Sequence, residues 1–288
     1  MNVTNYCTSK VLTVTPRDSI DRAITLMEEH GVHHLVVTVD GRLAGMLSDR
    51  DILISTGWML EVERRTDRER SGTVVGPTRV GQIMARSLAG LENTAGAAEA
   101  ATLMVALKIG ALPILREQHV VGILSESDLV GWMCALAAPG NKIDNFLQKE
   151  VRKFMRAPVI SVSPDAPLAD AVSLFRRHRI RHIPVLMNKS LKGIVSDRDV
   201  RRLLGWSSVQ DMKAQAEGRL PEAETPDTVS GVMQKDVLSI NDRATVRDAA
   251  RRMTDHRIHA LPVLSDKEVV GIITQSDLIR AIAIEELL

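Results

Sequence analysis

Aromatic residues make up only 2% of this 288-residue chain, and cysteine occurs twice. With so few rings, the core must be built from Val, Ile, Leu, Met and Ala. Cys7 and Cys134 supply neither a disulfide framework nor a ligand set at metal spacing. An excess of charge of one sign is also missing: 37 Lys and Arg stand against 36 Asp and Glu. That balance offers no basic field for DNA or RNA and none for an anionic membrane. The start, MNVTNYCTSKVLTV, lacks the basic region and the long apolar region of a secretory signal. The longest nearly polar-free stretch, residues 129–138, is about half a membrane span. A soluble, cytoplasmic, globular protein is expected. Catalytic signatures are absent as well: there is no GxxxxGK[ST], no GxSxG and no HExxH. A non-enzyme is expected, with no catalytic cofactor.

What the chain does contain is a register. Pro184, Gly193, Ser196 and Asp199 are matched in spacing by Pro262, Gly271, Thr274 and Asp277, and by Pro113, Gly122, Ser125 and Asp128. Val36, Gly45, Ser48 and Asp51 keep the spacing with valine in the proline slot. A ruler recurring at roughly 70 to 80 residues is an internal repeat. Counting back from the same slot reaches Cys7, Met84, Met155 and Met233. Three methionines in equivalent places make Cys7 a small core hydrophobe rather than a reactive thiol.

Repeat one shows the order of elements. Residues 10–14 read as a short strand. Ile20, Ala23, Ile24 and Met27 form one apolar helical stripe, with Ser19 as N-cap and Gly31 as stop. Residues 34–39 and 42–47 read as a hairpin around Asp40-Gly41, and a second helix opens near Ser48. The order is β-α-β-β-α. Expected repeat bounds are 1–60, 78–137, 150–205 and 228–288. Polar linkers occupy 61–77 and 206–227, and a short join runs through Pro139-Gly140. Repeats one and three carry SDRD, whereas two and four carry SESD and TQSD. The chain is a duplicated pair, with modules at 1–140 and 141–288.

A unit of this size with few aromatics is marginal alone, and its strands carry a second apolar face. Two repeats pressed together would cover that face and create two clefts related by pseudo-two-fold symmetry. The β-α-β-β-α order, the apolar-x-Pro-Val strand and the Gly-apolar-apolar-Ser/Thr-x-x-Asp signature resemble the CBS (cystathionine β-synthase) domain. Its paired unit is the Bateman module, an α/β (α+β) fold. Four copies in one chain resemble the γ subunit of the AMP-activated protein kinase.

The motif supports two readings. Ser/Thr-x-x-Asp before an apolar helix is a variant of the capping box, which needs no ligand. The same helix start offers unpaired N–H groups where a phosphate can sit. The Asp would repel that phosphate and suits the paired hydroxyls of a ribose. The resemblance implies the second reading: Asp51, Asp128, Asp199 and Asp277 on ribose, with Ser48, Ser125, Ser196 and Thr274 beside phosphate. Cations are uneven between repeats. Arg50 and Arg198 precede the Asp in repeats one and three, whose strands open with His33-His34 and Arg181-His182. Repeat four keeps His259, and repeat two has only Gly110-Ala111. Repeats one and three thus rank as the better phosphate sites and repeat two as the poorest. By resemblance, the base lies near Val11, Leu88, Val159 and Val237.

Adjacent His33 and His34 point to opposite faces of a strand, so no metal site is read. The run Arg176-Arg177-His178-Arg179 reads as a solvated helix end. The expected function is an adenine-nucleotide (AMP, ADP or ATP) sensor acting on an unidentified protein partner, with two modules forming a disc within one chain or between two. The alternatives are a ligand-free oligomerising scaffold, or a sensor of S-adenosylmethionine or NAD.

Overall fold

A computed structural model describes residues 2–55, 77–86, 90–203 and 226–284. Nearly all of the two expected linkers, and Leu88 with them, lie outside the described residues. Repeat one runs β1 (Thr13–Val14), α1 (Ile20–His30), β2 (His34–Val39), β3 (Arg42–Ser48) and α2 (Asp49–Ser55). Helix α1 buries Ile20, Ala23, Ile24 and Met27, the expected stripe. Ser19 Oγ accepts from Arg22 N at 3.2 Å, and Gly31 ends the helix at φ 62°. Asp40 and Gly41 both have positive φ, 52° and 74°, the backbone of a type I′ turn that follows strand twist. Strand β1 is shorter than expected. Only Thr13 and Val14 pair, with Val36 and Val37, since Val11 N turns back onto Ser9 O at 3.1 Å.

Repeat two contains α3 (Val80–Ile83), β4 (Leu91–Glu92), α4 (Ala97–Leu107), β5 (Ala111–Arg116), β6 (His119–Ser125) and α5 (Glu126–Leu136). The join between the halves is more than a turn: it holds helix α6 (Lys142–Leu147). Asn141 caps that helix by accepting from Asp144 N at 2.7 Å, and Ile143, Phe146 and Leu147 are buried. Repeat three follows with α7 (Leu168–His178), β7 (His182–Met187), β8 (Ser190–Ser196) and α8 (Asp197–Leu203). Repeat four has β9 (Ile240–Asn241), α9 (Val246–Asp255), β10 (Ala260–Ser265), β11 (Glu268–Thr274) and α10 (Gln275–Ile284). Each hairpin breaks register at the same place, after Val37, Ile114, Val185 and Val263.

Repeats pair by exchanging their opening segments. Thr8 bridges Ile123 of repeat two, and Ala85 bridges Met46 of repeat one. In the second module Arg156 bridges Ile272, and Gln234 bridges Ile194. The first module is further sealed by the pairing of Arg42 with His119, which makes one six-stranded sheet ordered β1-β2-β3-β6-β5-β4. The modules meet through helices. Helices α4 and α5 of repeat two pack on α9 and α10 of repeat four. Ala100, Ala101 and Met104 share one core with Ala249, Ala250 and Met253. Small residues on both sides let these helices approach closely, and Trp132 and Phe146 are buried in the same core. Among the described residues no helix is long and apolar enough to cross a membrane.

Candidate functional site

The four motifs share one geometry. Asp51 Oδ2 accepts from Ser48 N at 2.8 Å and from Ser48 Oγ at 2.6 Å, while Asp51 N donates back to Ser48 Oγ at 3.2 Å. Asp128 with Ser125, Asp199 with Ser196 and Asp277 with Thr274 repeat all three bonds. Capping is therefore built into every copy, and one carboxylate oxygen is committed to it. The other oxygen differs between modules. Asp277 Oδ1 accepts from Arg156 Nε at 2.8 Å and Arg280 Nη1 at 3.3 Å. Asp199 Oδ1 accepts from Gln234 Nε2 at 2.9 Å.

Two clefts open in the first module. The larger, about 700 Å³, is lined by Ser48, Arg50, Asp51 and His34, together with Lys108, Gly110 and Ala111 of repeat two. Arg176, Arg179 and Arg181 of repeat three complete its wall. The smaller, about 240 Å³, joins Lys10, Val11, His33 and His34 to Ser125 and Asp128. Arg181, Arg198 and His259 from the second module also line it.

The structure regroups the residues read from the sequence. Val11 stands with Asp128, the motif of the other repeat, because the opening segments are exchanged. Arg198 borders the Asp128 cleft. Gly110-Ala111 brings no cation, yet both clefts that it lines collect arginines from repeat three. Half-buried Val159 and Val237 lie outside the lining of these two clefts, as do His182, Ser196, Asp199, Thr274 and Asp277. Lys108, Arg176 and Arg179 were missed as lining residues. The sequence marks the Arg176–Arg179 run as a solvated helix end, but both ends of it border the larger cleft.

A second missed set follows the hydroxyl of each motif: Asp49, Glu126, Asp197 and Gln275. Their backbone N–H groups donate to the carbonyls of His33, Gly110, Arg181 and His259 at 3.0–3.1 Å. Their side chains meet between the modules. His33 Nδ1 lies 3.0 Å from Asp49 Oδ2, which Arg198 Nε approaches to 3.7 Å. Gln275 Oε1 accepts from Ser127 Oγ at 2.9 Å, and Ser276 Oγ donates to Glu126 Oε1 at 2.8 Å. The signal was a polar residue at one fixed register position in all four repeats.

Desolvation dominates the titration of this seam. It pulls His34 down to about 4, reinforced by Arg181, His33 and Arg198. It brings His182 to about 3 and His259 to about 4, with Arg198 adding to both. The carboxyls of Asp197 and Glu126 are pushed up by the same loss of water. At neutral pH the seam thus sets guanidinium groups beside the neutral imidazoles of His34, His182 and His259. Among the described residues no three His, Cys, Asp or Glu side chains are grouped to hold a metal.

The CBS domain family model matches residues 3–55, 80–134, 151–205 and 229–284. The chain belongs to the CBS domain family, as four repeats in Bateman-type pairs. Protein MJ1225 of Methanocaldococcus jannaschii is 24% identical over 283 residues, 95% of this chain and 96% of its own. Its crystal structure, described as that of a proposed archaeal homologue of the AMP-activated protein kinase γ subunit, superposes with a TM-score of 0.78. That match is 22% identical, over 98% of this chain and 100% of the other. A Pyrococcus horikoshii protein follows the fold at TM-score 0.64 and 18% identity, over 98% and 99% of the two chains. CBSX2, solved with AMP, aligns over 47% of this chain and 97% of its own at 24% identity and TM-score 0.38.

Proposed function

We propose that this chain is a non-catalytic regulatory protein that binds adenine nucleotides in the two clefts of its first module. One observation carries the reading. Asp51 and Asp128 each keep one oxygen in the cap, and the other makes no further hydrogen bond among the described residues, inside clefts walled by arginine. A carboxylate with one spare oxygen accepts from the paired hydroxyls of a ribose. Arg50 with Lys108, Arg176, Arg179 and Arg181, or Arg181 with Arg198 and Lys10, then answers the phosphate charge. Both clefts also touch repeat three, so a bound nucleotide pulls on the second module as well as the first. A ligand shifts such an arrangement only by its difference in affinity between states.

Calorimetric titration with AMP, ADP, ATP, S-adenosylmethionine and NAD tests the proposal. Saturable heat with at least one adenine nucleotide is expected, and flat traces with all five would reject it. The scaffold reading draws on a different observation: the completed capping boxes explain Ser and Asp in all four copies without any ligand. It predicts those flat traces.

A further inference from the structure

Thr8, Ala85, Arg156 and Gln234 each follow the Cys7/Met slot by one residue. Their backbones are equivalent. Each N–H donates to a strand carbonyl of the paired repeat at 2.8–2.9 Å: Ile123, Met46, Ile272 and Ile194 respectively. The strand that receives each one leads directly into that repeat's Ser/Thr-x-x-Asp motif. One register position therefore places four different side chains beside four identical carboxylates.

What those side chains do differs. Arg156 takes Asp277 Oδ1 at 2.8 Å, with Arg280 Nη1 of the same repeat's helix farther off at 3.3 Å, and the Asp277 side chain is only 2% exposed. Gln234 takes Asp199 Oδ1 at 2.9 Å. Thr8 and Ala85 line the clefts of Asp128 and Asp51 and make no such bond. We infer that this position determines which motifs accept a ligand, and that Arg156 is a built-in occupant closing the fourth. The inference rests on the nucleotide reading and sharpens it.

The physical reason is competition for one oxygen. A ribose approaching Asp277 must displace a charge-assisted bond from a nearly buried carboxylate. Its hydroxyls supply only neutral donors in return. At Asp199 the donor is an amide, and exchange for a hydroxyl is close to even. At Asp51 and Asp128 no donor has to leave. Ligand occupancy should follow the same order, with the first module filling first and the Asp277 motif staying empty.

Calorimetry on the full chain, with AMP or whichever of ADP and ATP the wild type binds, tests this with two substitutions. Ala85→Arg places the blocking side chain in the roomy Asp51 cleft and should weaken that nucleotide there at least tenfold, as loss of a charged hydrogen bond does. In an Arg280→Ala background, which removes the second donor to Asp277 Oδ1, Arg156→Ala should raise the binding stoichiometry by one site. Wild-type affinity in Ala85→Arg overturns the proposal. So does unchanged stoichiometry when Arg156→Ala is added to the Arg280→Ala protein and circular dichroism shows the double variant folded; if that variant does not fold, Ala85→Arg decides alone. Should the wild type take up none of AMP, ADP and ATP, the nucleotide reading falls and this inference with it. Binding that ignores both substitutions rejects the inference only.

Discussion

Met233 Sδ lies 2.7 Å from where a β-carbon on Gly193 would stand. The methionine belongs to the opening segment of repeat four and the glycine to repeat three. The other three glycines of the register meet Met84, Cys7 and Met155 in the same way, at Gly45, Gly122 and Gly271. The glycine is required because a sulfur-bearing side chain and a carbonyl of the partner repeat occupy its side-chain space.

Gly193→Ala is therefore expected to destabilise the chain by about 1–3 kcal/mol, the cost of overpacking. Adding Met233→Ala should restore little, because the Gln234 carbonyl oxygen remains 2.8 Å from the new methyl. Urea unfolding of the three proteins checks this. Full recovery in the double variant would mean that sulfur, not backbone, sets the constraint.

Asp51→Ala separates cap from ligand. The lost capping box should cost about 1 kcal/mol of stability, and Asp128→Ala should cost a similar amount. The nucleotide reading adds at least a tenfold loss of affinity in the cleft concerned. Denaturation and calorimetry on the same samples resolve the two effects. A stability loss of that size with unchanged nucleotide affinity would leave capping as the whole role of these carboxylates.

Much of this arrangement was legible in the sequence. The stripe Ile20, Ala23, Ile24, Met27 and the Asp40-Gly41 turn are local signals, and local physics decided them. The Cys7/Met slot was readable because the repeat shows one position four times. The exchange of opening segments was not: a register shows that Cys7 and Met84 are equivalent, never that Cys7 packs on Gly122 rather than Gly45. The grouping of Val11 with Asp128, and of Arg176 and Arg179 with Asp51, depends on contacts between distant residues that carry no period. Helix α6 was missed because its six residues sit directly behind Pro139-Gly140, which signals a turn.

Acid should weaken the fold through its histidines. His34, His182 and His259 sit at about 4, about 3 and about 4 when folded, against an ordinary 6.5. Between those values the unfolded chain binds more protons, so stability is full above about pH 6.5 and declines as pH falls towards 4. The raised carboxyls of Glu126 and Asp197 act in the opposite sense, since the folded state then holds protons longer. Urea midpoints at about pH 7.5 and about pH 5 measure the slope. His182→Gln should flatten it, and an identical slope in that variant would remove His182 from the account.

Arg198 offers the sharpest test of how the repeats are combined. By sequence it adjoins Asp199, but its guanidinium reaches Asp49 of repeat one and borders the Asp128 cleft. Arg198→Ala should therefore lower nucleotide affinity in the Asp128 cleft and leave the Asp51 cleft, whose lining lacks it, near wild type. A double-mutant cycle makes this quantitative, because residues serving one ligand couple while residues serving different ligands add. Removing Arg198 should cost little further affinity once Asp128 is alanine, and its full effect should persist when Asp51 is alanine instead. The reverse pattern would return Arg198 to the larger cleft. Equal losses in both backgrounds would mean that the arginine acts on both clefts through the seam between the modules.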